Sequence, residues 1–252
     1  MLRKSTICAK SAAVILVAVA VLALGQVLQA GTISIVDIPA VNSDTNSGIG
    51  NPALYTHALD FGTSGYTGTT TINGVPFTRY GIGTSSPSPY TGPNFTDAGS
   101  SGNLSSAGNA NIPADGQMGV LLEKLWYDSL SKIQTLTLSG LTPGQAYSTR
   151  VYYRCWEPTY PADQQDNTLT FNGDGTPVSQ VVSGNAPGAH YVKYDYIALG
   201  TTVTIKADNN LGGGKWGWHM YGVSNQIPEP STLALLATGL IGLLCYAWRK
   251  RK

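Results

Sequence analysis

The chain passes from one predicted strand to the next through Leu136-Thr137-Leu138-Ser139-Gly140-Leu141-Thr142-Pro143-Gly144-Gln145-Ala146-Tyr147. Residues alternate between apolar and polar from Ile133 to Ser139, which predicts a strand, and a second strand is predicted from Ala146 to Trp156. Pro143-Gly144 suits positions i+1 and i+2 of a type II turn, because glycine tolerates the positive φ required there. This stretch therefore predicts an antiparallel strand–turn–strand unit.

Further strands are predicted on both sides of this unit. Asn73-Gly74 lies between alternating arms from Thr69 to Tyr80, a typical hairpin signal. Other short β-branched and aromatic runs, punctuated by Gly, Pro and Asn, predict strands at 32–36, 54–61, 168–171, 177–182, 190–199, 201–207 and 218–224. The unit at 136–147 resembles the strand–turn–strand of extracellular β-sandwich modules, including fibronectin-like and galactose-binding-like ones. We therefore expect residues 31–226 to form one all-β domain, a jelly-roll-like antiparallel β-sandwich.

Two segments of this domain depart from the strand pattern. Gly81 to Gly116 is dominated by Gly, Ser, Asn and Pro, which favours a long surface loop with one or two weak strands over a disordered insertion. Apolar residues then recur at helical spacing, which predicts a short helix from Gly119 to Tyr127; the alternative is a strand that faces the core. The recurring residues are Met118, Leu121, Leu122, Leu125 and Trp126.

The C-terminal end has three parts in a fixed order. Pro228-Glu229-Pro230 is followed by Ser231 to Trp248, which contains no charged residue, and then by Arg249, Lys250, Arg251 and Lys252. As a helix, residues 231–248 would be about 27 Å long, which approaches the hydrocarbon thickness of about 30 Å. The four cations predict a stop-transfer signal on the cytoplasmic side.

This three-part order resembles the PEP-CTERM sorting signal of exported bacterial proteins. The resemblance covers residues 227–252 and implies that Pro228, Glu229 and Pro230 are recognised by a membrane-embedded exosortase, which removes the tail. It also implies an association with surfaces that produce exopolysaccharide. It implies nothing about residues 31–226.

The N-terminal end predicts a secretory signal peptide over residues 1–30. Three cations precede an apolar run from Ala12 to Leu24, and Leu28-Gln29-Ala30 predicts cleavage after Ala30, with an uncleaved anchor as the alternative. Signal peptidase and the export translocon are the partners that this prediction implies. We expect export across the inner membrane, transient anchoring by the C-terminal helix, and a final location at the cell surface or in the extracellular matrix.

The charge and the cysteine content of the domain between the targeting segments argue against nucleic-acid binding and exclude an internal disulfide. Seven of the fifteen cations lie in the two targeting segments, so eight cations remain against fourteen carboxylates when Glu229 is counted with the domain. An acidic domain has no electrostatic reason to bind nucleic acid. Cys155 is the one cysteine between the targeting segments, which excludes a disulfide within the domain.

No sequence motif predicts catalysis. The three histidines have no metal-ligand spacing, no G-x-S-x-G motif is present, and Gly212-Gly213-Gly214-Lys215 lacks the rest of a phosphate-binding loop. A pair of carboxylates for glycoside hydrolysis remains an alternative because such pairs are set in space. Asp163, Asp166, Asp174 and Asp208 are candidate Ca²⁺ ligands, but turn chemistry explains each one better. We therefore expect no cofactor and no enzymatic activity.

Aromatic residues near the strand ends are the candidates for ligand binding. In the strand predicted from Ala146, Arg150, Tyr152, Arg154 and Trp156 share one face, and we expect this face to be the more exposed one. Together with Trp216 and Trp218, the residues Tyr152, Arg154 and Trp156 predict a surface on which sugar rings stack. The function we expect is a non-enzymatic surface or matrix protein that binds carbohydrate, with exopolysaccharide as a partner. The alternatives are a structural matrix protein without a ligand and a glycan hydrolase.

Overall fold

The structure is a computed structural model that describes residues 31–109, 111–128, 133–154, 156, 166–183, 186–209, 217–229, 239, 242–243 and 246–250. The predicted signal peptide, most of the segment 231–248, and Cys155, Trp216, Pro230, Arg251 and Lys252 lie outside this part of the chain. No helix within the described ranges has both the length and the apolar character needed to cross a membrane.

The domain is built from strands, with two short α-helices and one 3-10 helix among the described residues between 31 and 229. The helices are α1 (Ser43–Asn46), α2 (Gly116–Leu121) and the 3-10 helix Pro52–Leu54. The strands are β1 (Thr32–Ile38), β2 (Tyr55–Thr63), β3 (Thr69–Ile72), β4 (Val75–Ile82), β5 (Ser86–Pro87), β6 (Tyr90–Gly92), β7 (Phe95–Gly99), β8 (Asn103–Gly108), β9 (Lys124–Asp128), β10 (Ile133–Ser139), β11 (Ala146–Arg154), β12 (Asp166–Asn172), β13 (Val178–Ser183), β14 (Ala189–Ile197), β15 (Thr202–Asp208) and β16 (Gly222–Gln226).

The strands form two large sheets and one small one. The seven-stranded sheet has the order β1-β14-β11-β16-β2-β4-β3, and the six-stranded sheet has the order β13-β12-β15-β10-β7-β6. The third sheet contains β5, β8 and β9. Strand pairs in the described ranges are antiparallel except β2 with β4, which are parallel. The predicted all-β antiparallel sandwich is confirmed.

The two strands and the turn predicted at 133–156 are present, and the strands belong to different large sheets. β10 belongs to the six-stranded sheet and β11 to the seven-stranded one, so the turn between them carries the chain across the sandwich. Gly140 and Gly144 have φ values of 82° and 81°, and positive φ is the conformation that glycine adopts without steric cost. The backbone N–H of Gly144 donates to the carbonyl of Ala198 at 2.7 Å, which fixes the turn against the end of β14.

Aromatic rings join the two large sheets in one core. The ring of Phe171 in β12 lies 5.1 Å from that of Tyr194 in β14, and Phe61 in β2 lies 6.1 Å from Phe95 in β7. Tyr194 pairs directly with Thr149 of β11, so the odd-numbered residues of β11 face the other sheet. The even-numbered residues therefore point to what we call the outer face, which carries Ser148, Arg150, Tyr152 and Arg154.

The hairpin predicted at Asn73-Gly74 is also confirmed. Asn73 and Gly74 connect β3 to β4 with φ values of 49° and 83°, the positive pair of a type I′ turn. The side-chain amide of Asn73 donates to the carbonyls of Asp44 at 2.6 Å and Ile49 at 2.9 Å. The turn residue therefore also holds the segment 42–50 in place.

Two sequence-based predictions are corrected by the structure. The range 81–116 contains the four strands β5 to β8, although its composition predicted a loop with at most two weak strands. The predicted helix 119–127 is wrong in its second half, because α2 ends at Leu121 and β9 begins at Lys124. Leu125 and Trp126 are both fully buried, and a strand that is buried on both sides produces the same apolar spacing as a helix.

The outer face is covered by α2 and by the segment 38–54. Two carboxylates hold these parts together: Asp44 accepts the backbone N–H of Met118 at 2.7 Å, and Asp115 accepts that of Ser43 at 2.7 Å. At the start of the domain, the backbone nitrogen of Gly31 donates to the carboxylate of Asp174 at 2.6 Å. The described core residues lie between Ile33 and Ile227, so we expect residues 31–229 to fold as one domain.

Candidate functional site

The outer face of β11 is buried over most of its length. Arg150, Tyr152 and Arg154 have exposed fractions of 6%, 0% and 1%, so the prediction that this is the more exposed face is wrong. The reason is the cover formed by α2 and the segment 38–54; the hydroxyl of Tyr152 donates to the carbonyl of Ser47 in that segment at 3.3 Å. The ligand-binding roles assigned to Tyr152 and Arg154 stay predictions.

Arg154 uses its guanidinium to hold the covering chain. Its Nε donates to the carbonyl of Leu122 at 2.7 Å, Nη1 to Asn111 at 3.0 Å and Nη2 to Asn109 at 3.2 Å. The same group lies 5.1 Å from the ring centre of Tyr221, within the range of a cation–π contact. Arg154 therefore fixes the segment 109–122 beside the end of β11.

Three half-buried rings meet where β11 ends. His219 lies edge-on to Trp156 at 5.3 Å and to Tyr127 at 5.5 Å between ring centres. We call Tyr127, Trp156 and His219 the aromatic rim. The side chain of Asn109 donates to the carbonyl of Trp156 at 2.8 Å, which ties the rim to the segment held by Arg154. Trp156 is the described member of the predicted ligand site that reaches solvent.

The electrostatics of the rim keep His219 neutral. Burial lowers the pKa of His219 to about 3, and the positive charge of Arg154 acts in the same direction. Nδ1 of His219 is buried and has no hydrogen-bond partner among the described residues. The imidazole is therefore uncharged between pH 5 and pH 8, and the rim presents neutral aromatic groups.

Trp218 lies on the opposite side of the chain from the rim. It is 2% exposed, and its ring centre lies 4.9 Å from that of Tyr153, which in turn stacks on His190 at 5.2 Å. The structure thus separates Trp218 from Trp156, although the sequence placed both in one ligand site. Trp216 lies outside the described residues.

Sequence reasoning missed His219 and Tyr127 as members of the site. A signal for His219 existed, since consecutive residues of an extended chain point to opposite faces and an inward Trp218 places His219 outward. Tyr127 carried no such signal, because its segment was predicted as helix. Among the described residues, no group of three or more His, Cys, Asp or Glu side chains could hold a metal ion.

The C-terminal signal begins directly against the sandwich. The backbone N–H of Ile227 donates to the carbonyl of Leu54 at 2.8 Å, and the side chain of Asn51 donates to Glu229 at 3.4 Å. Arg249 and Lys250 are exposed in the described part of the tail. Pro228 and Glu229 therefore follow immediately after the last strand of the domain.

These features define a class, an all-β sandwich domain followed by a C-terminal sorting signal. Residues 226–252 match the family described as PEP-CTERM protein-sorting motif, and the chain carries that motif. The motif implies export, a membrane-anchored C-terminal signal and processing by an exosortase. No curated protein sequence matches the chain.

Several solved structures are similar to the chain at low identity. The extracellular domain of ANXUR1 from Arabidopsis thaliana is 14% identical over 70% of this chain and 51% of that chain, with a TM-score of 0.42. TmCBM61 in complex with beta-1,4-galactotriose is 12% identical over 53% and 88%, with a TM-score of 0.35. Exo-beta-1,3-galactanase from Phanerochaete chrysosporium is 15% identical over 56% and 29%, with a TM-score of 0.31. The chain thus spans about half the length of the first of these structures, and no conclusion about its function rests on these TM-scores.

Proposed function

We propose that the chain is an exported protein of the cell surface or extracellular matrix whose sandwich domain binds carbohydrate at the aromatic rim without catalysing a reaction. The observation that carries the proposal is the half-exposed ring of Trp156 beside the neutral imidazole of His219. Flat apolar faces bordered by polar groups are suited to the C–H face of a sugar ring. Exopolysaccharide is the partner that fits this location and chemistry.

The carboxylate next to the rim supports a role in binding over a role in catalysis. Asp128 follows Tyr127 in β9, but it is fully buried. Its carboxylate accepts the backbone N–H of Ser101 at 3.0 Å and the hydroxyl of Ser100 at 3.3 Å. A carboxylate that is occupied in this way is poorly placed to transfer a proton to a substrate at the rim.

Trp156→Ala is expected to abolish or strongly weaken glycan binding while leaving the domain folded. The first experiment is a glycan-array screen of residues 31–229, followed by titration of the best ligand with the wild type and the variant. Loss of the stacking ring is expected to weaken affinity by about tenfold or more, which corresponds to about 1.4 kcal/mol. Leu199→Ala is the matched control, because Leu199 is a 63% exposed apolar residue that is not part of the rim.

The alternatives give different results in the same experiment. A structural matrix protein without a ligand gives a flat array, which would contradict the binding proposal. A hydrolase gives turnover of an arrayed glycan that one carboxylate substitution abolishes. Binding that Trp156→Ala leaves unchanged would place the ligand away from the rim.

Processing at both ends is expected to change the mass of the exported protein. We expect its mass to correspond to a chain that starts at Gly31 and lacks Arg249 to Lys252, as cleavage after Ala30 and exosortase processing near Pro228 require. Intact-mass spectrometry and N-terminal sequencing measure both ends. Glu229→Ala is expected to leave the tail attached. Removal of the tail from that variant, as from the wild type, would show that Glu229 is not needed for recognition.

A further inference from the structure

A second group of polar side chains lies on the outer face, near the start of β11. Ser148 and Arg150 are 2% and 6% exposed. In the sheet, Arg150 is paired with Lys193 of β14 on one side and Ser224 of β16 on the other. Arg150 and Trp156 are six residues apart, which corresponds to at most about 20 Å of extended chain between this group and the aromatic rim.

Three buried polar atoms of this group have no hydrogen-bond partner within the described part of the chain. Nε and Nη1 of Arg150 and the hydroxyl of Ser148 are all buried and make no hydrogen bond. No described carboxylate lies within ion-pair distance of Arg150, and the nearby Lys193 is already paired with Asp195 at 2.6 Å. The ring of Tyr191 lies 5.7 Å from the guanidinium, and the positive charge of Arg150 also lowers the pKa of the neighbouring Tyr55 and Tyr152 hydroxyls against the effect of their burial.

A buried guanidinium that lacks hydrogen-bond partners is energetically unfavourable. Removing a charge from water is costly unless an opposite charge or a set of hydrogen bonds replaces the lost hydration. Arg154 meets that requirement through three carbonyl groups. Arg150, four residues earlier on the same face, has no such bond from Nε or Nη1 among the described residues. An anion at this position would supply the missing partner.

A glycine-containing segment packs directly on Arg150. The backbone of Gly48 packs on it so closely that a Cβ atom there would lie 2.8 Å from Nε of Arg150 and 2.8 Å from the hydroxyl of Tyr191. The neighbouring Gly50 donates its N–H to the hydroxyl of the half-buried Tyr55 at 3.2 Å, its one such bond shown. The segment 48–50, which contains two glycines, therefore packs against Arg150.

We propose that Ser148 and Arg150 form a binding site for a carboxylate group, as carried by an acidic sugar such as a uronic acid. Arginine is suited to this role because its planar guanidinium matches the geometry of a carboxylate. The carboxylate would accept hydrogen bonds from Nε and Nη1 of Arg150, and the hydroxyl of Ser148 would donate a further one. The site is independent of the aromatic rim and does not rest on the function proposed above.

The experiment measures binding of sodium glucuronate to residues 31–229 by calorimetry and by thermal shift at constant ionic strength. Glucuronate is expected to bind and to raise the melting temperature, whereas glucose at the same concentration is expected to do neither. Arg150→Met is expected to weaken glucuronate binding by about tenfold or more, because charge-assisted hydrogen bonds are lost. Lys206→Met is the matched control, since it removes one cation from the six-stranded sheet and is expected to leave binding unchanged.

Ser148→Ala provides a second variant in case Arg150→Met does not fold. It keeps the charge and removes one hydroxyl, and we expect a smaller but measurable loss of glucuronate affinity. The proposal is overturned if wild-type protein shows no response to glucuronate, if glucose binds equally well, or if the Ser148 and Arg150 variants both bind as the wild type does. A flat glycan array together with glucuronate binding would contradict the aromatic-rim proposal and support this one.

Discussion

Replacing Arg154 with methionine is expected to lower the free energy of unfolding by about 3 to 5 kcal/mol. The substitution removes the donors to the carbonyls of Asn109, Asn111 and Leu122, and leaves these acceptors without their partner in a region that Arg154 occupies with 1% exposure. Methionine fills much of the volume, so the loss reports the hydrogen bonds more than the packing. Urea denaturation of residues 31–229 at pH 7 measures it.

Arg150→Met is the matched control for this prediction. It is the same substitution on the same strand face, but Nε and Nη1 of Arg150 make no hydrogen bond within the described residues. Removing a buried charge that lacks a partner is expected to leave the stability unchanged or to increase it when no anion is present. An Arg154→Met protein as stable as Arg150→Met would contradict the role assigned to the three carbonyl bonds.

Asp97→Asn is expected to stabilise the domain by about 2 to 4 kcal/mol at pH 8 and by much less at pH 4. Asp97 is fully buried in β7, and burial raises its pKa from the ordinary 3.8 to about 7. Its Oδ2 accepts the side-chain N–H of Gln134 at 2.7 Å. Oδ1 of Asp97 and Oε1 of Gln134 remain without partners among the described residues, so the pair has acceptors in excess and lacks a donor.

The direction of the pH dependence follows from the raised pKa. Below pH 3.8 the carboxyl is protonated in both the folded and the unfolded chain, and the folded state has no penalty. As the pH rises through about 7, the folded carboxyl loses its proton while buried, and this contribution to stability is lost. An asparagine amide supplies the missing donor at every pH. The difference in unfolding free energy between Asp97→Asn and the wild type therefore develops as the pH rises from 4 to 8.

The measurement is the difference in unfolding free energy between Asp97→Asn and the wild type at several pH values. Titration of the other groups is common to both proteins and cancels in this difference. Asp195→Asn is the control, because the side chain of Asp195 is 41% exposed in its pair with Lys193, and exposed pairs contribute at most about 1 kcal/mol. If the difference in unfolding free energy between Asp97→Asn and the wild type does not change with pH, the wild-type carboxyl does not become ionised while buried, and the prediction is wrong.

The parts of the fold that sequence predicts well are those fixed by neighbouring residues. The turns at Asn73-Gly74 and Gly140 to Gly144 depend on backbone conformations that few residues adopt, so local composition is sufficient. The helix predicted for 119–127 failed because Leu125 and Trp126 are buried by distant partners, including Gly62, whose carbonyl accepts the indole N–H of Trp126 at 2.8 Å. Local spacing carries no information about such partners.

The candidate site was predictable only in part, for the same reason. The alternation in β11 correctly places Arg150, Tyr152 and Arg154 on one face, but it does not show whether another segment covers that face. The cover comes from residues 38–54 and 109–122, which are separated from β11 by many residues in sequence. Trp156 reaches solvent because it lies beyond the covered part, and its neighbour His219 belongs to a distant segment.

The contact between Gly31 and Asp174 acquires a different chemical character once the bond to Ala30 is hydrolysed. The nitrogen is an amide in the precursor and an ammonium group in a chain that begins at Gly31. The same 2.6 Å separation then joins opposite charges, and hydrogen bonds of that kind are roughly twice as strong as neutral ones. A Cβ at this position would lie 2.3 Å from the ring of Tyr194. If cleavage occurs after Ala30, as the sequence predicts, this position therefore suits a first residue that has no side chain and carries a positive charge.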